Sequence, residues 1–362
     1  MTEPIHLMSL WVINDVKVGE VDIEVEADTT APTVTSSESF DTNSDGNVDT
    51  VVFEFFEAVD DNEIDVSDFT FSTDGFSNSD SGDSSIVTDV SSYDGYDQTA
   101  ADDKYIAVTF TPSNVSGTGV VEYKYFANAG TVADLAGNEM EDIIDPRDAD
   151  DGAAPVIMKA ETDQSFADAT LNIGESDGTV TVDAINGENN KLNGAFGNNI
   201  EVKVVNDSDN DNTTASYTNQ ILTVELADDG SSITATVSEV ASVISNVDGF
   251  ETSSSNGSEK VDSTIESSLS NGSDSVDISF SEDIDNDTLD TSDVNTDFDF
   301  NNAENVTGTT TESNYGSLSI TITQSDAQIL GDEIYIKSGA IEDLNGNEAD
   351  TSPVTIEQPQ VF

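Results

Sequence analysis

Apolar and polar residues alternate in short segments along most of the chain, and clusters of Gly, Asn, Asp and Ser separate these segments. Alternation with a period of two is typical of strands that bury one face. The pattern predicts strands at residues 48–56, 68–71, 86–90, 105–110, 120–126, 179–183, 200–205, 221–226, 276–280, 318–323 and 333–337. Most of the chain is therefore expected to be β structure.

The period changes from two to that of a helix near residue 236. The apolar positions that follow it are Val237, Val240, Ala241, Ile244 and Val247. Their spacing of three and four residues places them along one face of a helix. Thr236 with Glu239 three residues later forms a capping-box pattern. The sequence predicts one helix over residues 236–247.

Two distant stretches repeat the same pair of motifs in the same order. Residues 55–60 (FFEAVD) match residues 280–285 (FSEDID) at an offset of 225. Residues 132–139 (VADLAGNE) match residues 341–348 (IEDLNGNE) at an offset of 209. The repeat predicts two copies of one domain on either side of a different segment.

Several short strands separated by turn residues within each copy indicate an antiparallel sandwich. The fold class expected for the chain is mainly β, with tandem Ig-like β-sandwiches and a small α/β module between them. The expected boundaries are an N-terminal stretch at residues 1–30, sandwiches at residues 31–154 and 251–362, and the middle module at residues 155–250.

The repeated motifs also carry a resemblance. Over residues 31–154 and 251–362 the Phe-x-Glu-x-Val/Ile-Asp segment and the Asp-Leu-x-Gly-Asn-Glu loop resemble bacterial Ig-like domains of surface-layer proteins and adhesins. In the middle segment, the runs at residues 197–200 (GNNI), 227–230 (ADDG) and 234–236 (TAT) resemble a small α/β module repeated in virion proteins of tailed bacteriophages. The first resemblance implies a structural or adhesive module, and the second implies a virion part.

Residues 1–30 belong to neither pattern. Their apolar residues alternate mostly from Val16 onward, but thirty residues are too few for a core of their own. Two interpretations are open. The stretch is either an extra strand on the first Ig-like domain or an arm that docks by adding to the sheet of a partner.

The charge of the chain is strongly one-sided. Asp and Glu number 75 against 9 Lys and Arg, which gives a formal net charge of −66. No basic stripe exists to neutralise phosphates, so nucleic acid and anionic membranes are excluded as electrostatic partners. Charged residues make up only 23% of the chain, an ordinary share, so the excess comes from scarcity of lysine. This pattern resembles proteins of extreme halophiles, in which molar salt screens the self-repulsion.

The residue inventory restricts the chemistry. The chain has no Cys and a single His, His6. Disulfide scaffolds, thiolate zinc sites and His-based triads are therefore excluded. Paired carboxylates of the glycosidase type are conceivable, but no pair stands out among so many acids. The sequence predicts a protein that is not an enzyme.

One loop has the spacing of a calcium site. Asp41, Asn43, Asp45 and Asp49 stand at positions 1, 3, 5 and 9 of an EF-hand-type loop, with Gly46 at position 6. Position 12, where a bidentate Glu belongs, is Val52, so the site needs a ligand from elsewhere in the chain, and Asp60 and Asp61 are candidates. The alternative is a plain hairpin turn before Val48.

Other turn-forming runs are expected to be loops without metal. The acidic stretch at residues 207–212 is interpreted as a solvated loop. The two Asp-Leu-x-Gly-Asn loops are interpreted as turns in which Gly137 and Gly346 adopt positive φ.

These observations favour a virion structural protein of a tailed virus that infects a halophilic archaeon. The expected roles are capsid decoration, turret or tail appendage, with residues 1–30 docking on a major capsid or tail protein. We expect a homo-oligomer exposed at the virion surface, able to contact the host cell surface, without membrane insertion, since no run of 18 apolar residues exists. No signal peptide is evident in residues 1–11, which fits assembly inside the host. The alternative is an extracellular adhesin or surface-layer component of a halophilic archaeon.

Overall fold

The computed structural model describes residues 6–13, 16–24, 27–73, 76, 79–83, 87, 90, 93, 101–188, 191–206, 210–314 and 316–359. The fold is mainly β, as the alternation of the sequence predicts. The chain divides into two compact units, Met1–Ala153 and Ala154–Phe362. Within the described residues, no helix is both long and apolar enough to be a membrane span.

The N-terminal stretch forms a hairpin. Strand β1 (His6–Ile13) pairs antiparallel with β2 (Val16–Glu24), with a register shift at Trp11. Among the described residues these two strands make a sheet of their own and pair with no other strand. The stretch therefore forms a two-stranded ribbon, and no strand pairing among the described residues supports the interpretation as an extra strand of the first sandwich. The docking interpretation stays a prediction.

The first copy of the repeated domain is a sandwich of two sheets. Its strands are β3 (Val34–Phe40), β4 (Thr50–Phe55), β5 (Phe69–Ser72), β6 (Asp80–Ser81), β7 (Tyr105–Thr109), β8 (Glu122–Tyr125), β9 (Ile143–Asp148) and β10 (Asp150–Asp151), with a 3₁₀ turn at Val66–Asp68. The sheets have the orders β10-β3-β4-β7 and β6-β5-β8-β9. Pairing is antiparallel except between β10 and β3. Of the expected strand at 86–90, only Val87 and Val90 lie in the described part.

Aromatic rings fill the space between these sheets. Phe53 of β4 meets Tyr123 of β8 edge-on, with ring centroids 4.9 Å apart, and lies 5.0 Å from Phe69 of β5. The Tyr125 hydroxyl accepts a hydrogen bond from the Val132 N–H at 2.8 Å, which satisfies its polar atom inside the core. Burial of these rings is the main stabilising term of the sandwich.

The second unit contains the remaining elements. They are β11 (Ile157–Gln164), β12 (Ala167–Asn172), β13 (Thr179–Ala184), β14 (Glu201–Asn206), β15 (Thr214–Thr218), β16 (Ile221–Leu226), α1 (Val237–Ser245), β17 (Phe250–Ser255), β18 (Ile265–Ser268), β19 (Asp274–Phe280), α2 (Val294–Asp297), β20 (Phe298–Phe300), β21 (Thr307–Asn314), β22 (Ser317–Gln324), β23 (Glu333–Ile336) and β24 (Val354–Glu357). Short 3₁₀ turns lie at Ala195–Asn199 and Asn286–Thr288.

The second copy of the repeated domain repeats the strand pairing of the first. Its seven strands have the order β20-β23-β24-β11-β19-β22-β21. β11 pairs antiparallel with β19 and parallel with β24, as β3 pairs with β4 and β10. Ile278 of β19 and Phe298 of β20, near opposite ends of the strand order, belong to one core. The same sandwich scheme therefore occurs twice in the chain.

The middle module is an insertion into the second copy. β11 and β19 are paired neighbours, and Gln164 stands opposite Asp274 at their ends. Residues 165–273 lie between these strands, where the first copy has only residues 41–49 between β3 and β4. The structure therefore assigns residues 157–164 to the second sandwich and residues 265–268 to the module, which differs from the expected boundaries at 155 and 250. The repeated sequence motifs all lie after the insertion, so they carried no signal for β11.

The inserted module has its own core and the expected helix. Its sheets have the orders β12-β13-β17 and β15-β16-β14-β18, with β14 and β16 parallel. The α1 helix begins with the predicted capping box, since the Thr236 hydroxyl accepts the Glu239 N–H and the Glu239 carboxylate accepts the Thr236 N–H. Its buried face carries Val240 and Ile244 of the predicted stripe.

Candidate metal centre

The predicted calcium loop joins β3 and β4 and is organised around its first acid. The Asp41 carboxylate accepts backbone N–H groups from Asn43 and Asp45 at 3.3 Å each and from Gly46 at 2.7 Å. Gly46 has a φ of 84°, as the tight bend requires. Burial raises the pKa of Asp41, and these N–H groups oppose the rise. Three of the acid's hydrogen bonds thus hold the bend of the loop.

The other end of the loop is held by Asp49. Its carboxylate accepts the Thr42 hydroxyl at 2.7 Å, the Asn43 side-chain amide at 3.3 Å and the Thr50 hydroxyl at 2.8 Å. Asp45 accepts the Asn47 N–H at 3.0 Å. The four predicted ligands therefore lie in one loop whose hydrogen bonds already satisfy several of their oxygens. Calcium in this loop stays a prediction.

The two acids proposed to complete that site have other contacts. Asp61 donates its N–H to Asp102 at 3.3 Å and accepts the Asp102 N–H at 2.8 Å. Asp60 accepts the Asn62 N–H at 3.0 Å. In the acidic loop at residues 207–212, residues 207–209 lie outside the described part of the chain, and the Asn210 amide donates to Glu225 at 3.2 Å.

A different set of carboxylates converges at one end of the first sandwich. Asp28, Glu57 and Asp134 each offer one oxygen, and these three oxygens lie within 4.8 Å of one another. Asp28 precedes β3, Glu57 follows β4, and Asp134 opens the Asp-Leu-x-Gly-Asn loop. Ala58, Leu135 and Ala136 complete an open cleft beside the three acids. We call these three residues the carboxylate triad.

The triad is built on a rigid loop. Asp134 is only 3% exposed, and its carboxylate accepts the N–H groups of Ala136 at 2.9 Å and Asn138 at 2.7 Å. The Asn138 side-chain amide donates to Asp134 at 2.7 Å and to the Asp28 carbonyl at 3.2 Å. Gly137 adopts a φ of 86°, as the sequence predicts for this turn. Asn138 thereby fixes Asp28 beside Asp134.

The three negative charges of the triad repel one another. Glu57 Oε1 is shielded from solvent and accepts no hydrogen bond from any described residue. Burial, together with the charges of Asp28 and Asp134, raises the pKa of Glu57. The ion pairs found among the described residues involve Lys104, Lys159 and Lys203, and none of them reaches the triad.

The second copy places equivalent acids together. Glu282 and Asp343 match Glu57 and Asp134 in the repeat, and one oxygen of each lies within 4.8 Å of the other. Asp343 accepts the N–H groups of Asn345 and Asn347 at 2.8 Å each, and Gly346 has a φ of 93°. Sequence reasoning identified both loops as turns and missed this convergence. The sequence signal that could have revealed it is that each of the two repeated motifs has an acidic residue at the same position in both copies.

Comparisons with known proteins give weak similarities. No family model and no curated protein matches the chain. Among solved structures, it is similar to a thermostable esterase at 13% identity and a TM-score of 0.25, covering 48% of this chain and 47% of that one. It is also similar to two structures of the surface-layer protein SbsC. The rSbsC(31-844) structure is 9% identical with a TM-score of 0.25 and covers 90% of this chain and 54% of that one.

The second SbsC structure, of domains 1-6, is 11% identical with a TM-score of 0.25 and covers 92% of this chain and 55% of that one. The chain thus spans about half the length of each of these three solved structures. TM-scores this low assign neither a fold nor an activity.

Proposed function

We propose that this chain is a non-enzymatic structural protein of a hypersaline assembly, and that the assembly is the virion of a tailed virus of a halophilic archaeon. The observation that carries the proposal is the repetition of one sandwich scheme in a chain of net charge −66. Repeated β modules project a surface from a particle, and a uniformly acidic surface stays soluble in molar salt. Capsid decoration, turret and tail appendage are the roles that fit.

The buried acids have structural partners, which supports a role other than catalysis. The Asp68 carboxylate accepts the N–H groups of Ala129 at 3.0 Å and Gly130 at 2.9 Å. Asp332 accepts the Ala303 N–H at 3.0 Å. The carboxylates of Asp68 and Asp332 are thus occupied in holding the backbone of their loops, which is a structural role.

The N-terminal hairpin is the proposed attachment element. In the described part of the chain, β1 and β2 pair only with each other, which leaves the outer edge of each strand without a strand partner. An edge of this kind can add to the sheet of another protein by main-chain hydrogen bonds. We propose that it docks on a major capsid or tail protein, and that several copies assemble around that position.

A cell-surface role is the second candidate. The two motifs that recur in both copies resemble those of surface-layer and adhesin Ig-like domains, and this resemblance favours an extracellular adhesin or surface-layer component. Both candidates share a structural role, a high-salt medium and exposure to the outside. They differ in the partner that the chain attaches to.

Immunogold electron microscopy in molar salt separates the two candidates. Antibodies against the purified protein are applied to virus particles and to cells of the halophilic host. Label on particles, lost when residues 1–26 are deleted from the protein, supports the virion role. Label on uninfected cells supports the cell-surface role, and label on neither contradicts both.

A further inference from the structure

The strands at the edges of the sheets differ strongly in length. Among the described strands, the three longest edge strands are β2 with nine residues and β1 and β21 with eight residues each. The other edge strands have six residues or fewer. A long edge strand exposes a row of unpaired main-chain N–H and C=O groups. Proteins usually shorten such strands, or place charges or proline in them, to prevent pairing with another chain.

Several edge strands of this chain carry that protection. Strand β9 contains Pro146, β12 contains Asp168, and β17 contains Glu251. Strand β2 is long but has four charged residues among its nine. In contrast, β1 (HLMSLWVI) has no Asp, Glu, Lys or Arg, and β21 (TGTTTESN) has one charged residue, Glu312. Strands β1 and β21 are therefore the two long edges without the usual protection.

Charge indicates which partner fits these two edges. Acidic residues make up about one residue in five of the chain, so two copies of it repel each other over most of their surfaces. Pairing a strand that has no acid with a strand that has one brings few like charges together. Both strands are also eight residues long. We propose that β1 of one copy adds to the free edge of β21 of a second copy and joins the two chains by main-chain hydrogen bonds.

The receiving edge of β21 is regular and accessible. Over residues 308–312 its pairing with β22 has no register shift. Thr309 and Thr311 are exposed, whereas Thr310 is only 2% exposed. These three threonines and Thr291 line an open cleft of about 510 Å³, and no charged residue is among its described lining. A strand can therefore approach this edge without burying a charge.

The proposed contact joins two different surfaces. Each joined pair leaves one β21 edge and one β1 edge free, so further copies can add to form a ring or an open chain. The outer edge of β2 stays available for the particle or the cell surface. The inference rests on the proposed function only for the role of the N-terminal hairpin as an attachment element. It holds for both candidate assemblies.

Because the chain has no Cys, cross-linking tests the contact directly. Ser9→Cys places a thiol in β1 of an affinity-tagged chain, and Thr309→Cys places one in β21 of an untagged chain. Mixed in about 2 M KCl with a short thiol-reactive cross-linker, they should form a dimer of one tagged and one untagged chain. The matched control replaces Thr309→Cys with Ser216→Cys, an exposed position of β15. Strand β15 is also an acid-free edge strand but has five residues, and it should give about tenfold less dimer.

Analytical ultracentrifugation gives a second readout. Thr309→Asp adds a negative charge at the free edge of β21, so we expect it to raise the dissociation constant between copies about tenfold or more. The matched control Thr214→Asp makes the same change at an exposed position of β15 and should leave self-association unchanged. Circular dichroism checks that both variants fold. If Thr309→Asp does not fold, the exposed Thr311→Asp replaces it.

Four results would overturn the inference. They are the mass of a single chain at every concentration, equal cross-linking with the β15 control, self-association that the added charge in β21 does not weaken, and cross-linking within one chain in a dilute Ser9→Cys/Thr309→Cys double variant. None of these results bears on the proposed function, because immunogold labelling measures attachment to the particle or the cell and not contact between copies.

Discussion

Ser165 and Ser273 stand at the two ends of the inserted module and hydrogen-bond to each other through backbone and side chain. The Ser165 N–H donates to the Ser273 carbonyl at 2.8 Å, and the Ser273 N–H donates to Ser165 Oγ at 2.7 Å. The two hydroxyl oxygens lie 3.0 Å apart. The module therefore enters and leaves the second sandwich at one point, as expected for a domain inserted at a hairpin tip.

Replacing residues 165–273 with residues 41–49 of the first copy should leave the second sandwich folded. The flanking pairs match, because Gln164 stands opposite Asp274 as Phe40 stands opposite Thr50. We expect the sandwich to lose about 1–3 kcal/mol from the contacts that the module made with it. Circular dichroism and calorimetry in high salt measure this loss. Disappearance of the transition of the second sandwich would show that the module is required for its folding.

Two of those contacts come from adjacent asparagines of the module. The Asn198 side-chain amide donates to the carbonyl groups of Gly272 at 2.8 Å and Thr323 at 2.9 Å, and the Asn199 amide donates to the Ser325 carbonyl at 2.5 Å. We expect Asn198→Ala to reduce the free energy of unfolding of the second unit by about 1–2 kcal/mol, measured by urea titration. Asn172→Ala, at an exposed strand end, is the control and should change little.

Glycine is required at position 137 because of the backbone conformation there, and not because a larger side chain would lack space. Its φ is 86°, and a Cβ added there would meet no atom within 4 Å. Gly137→Ala should therefore cost about 1 kcal/mol through backbone strain alone. Gly119 has equally open space without positive φ, so Gly119→Ala should be neutral or stabilise by up to about 1 kcal/mol. Equal melting of the two variants would refute this account of the Asp-Leu-x-Gly-Asn loop.

Asp80 should make the first unit sensitive to acid. Burial raises its pKa, but hydrogen bonds from Ser113, Asn114 and Val115 outweigh burial and hold the pKa well below its ordinary value. Because the folded pKa is the lower one, Asp80 stabilises the fold above its unfolded pKa of about 3.9, and this contribution is lost as the pH falls towards the folded pKa.

The variant Asp80→Ala isolates that contribution. It should lower the free energy of unfolding near neutral pH by about 2–4 kcal/mol, because five hydrogen bonds lose their acceptor. Below about pH 3 the gap between variant and wild type should narrow. Melting curves from pH 7 to pH 2 in constant salt measure the gap, and a gap independent of pH would contradict the role assigned to the charge.

Much of the fold could be predicted from local pattern. The expected strand at residues 221–226 and the capped helix after Thr236 are confirmed, because alternation and capping are properties of neighbouring residues. The strand β21, in contrast, consists of Thr, Gly, Glu, Ser and Asn, so it offers no apolar alternation. The insertion was not predicted, because the pairing of β11 with β19 joins residues more than one hundred positions apart.

The carboxylate triad was out of reach of the sequence for the same reason. Asp28, Glu57 and Asp134 come from three segments, and only the pairing of the sandwich brings them to one end. The loop at Asp41 to Asp49 was identified because all its oxygens lie within nine residues, a spacing that sequence displays directly. Local motifs show which acidic residues lie in turns of the chain. Which acidic residues from distant segments come into contact depends on tertiary packing.

The measurement that tests the central claim most directly is the melting temperature as a function of salt. The chain carries 75 acids and 9 bases, and folding brings these charges closer together. The Debye length falls from about 10 Å at 0.1 M salt to about 3 Å at 1 M, so most of the repulsion is screened at the higher concentration. We predict a steep rise in melting temperature between about 0.1 and 2 M KCl, and a smaller rise in sucrose, which strengthens burial without screening charge. A melting temperature that is flat in KCl would contradict a structural protein built for a hypersaline medium.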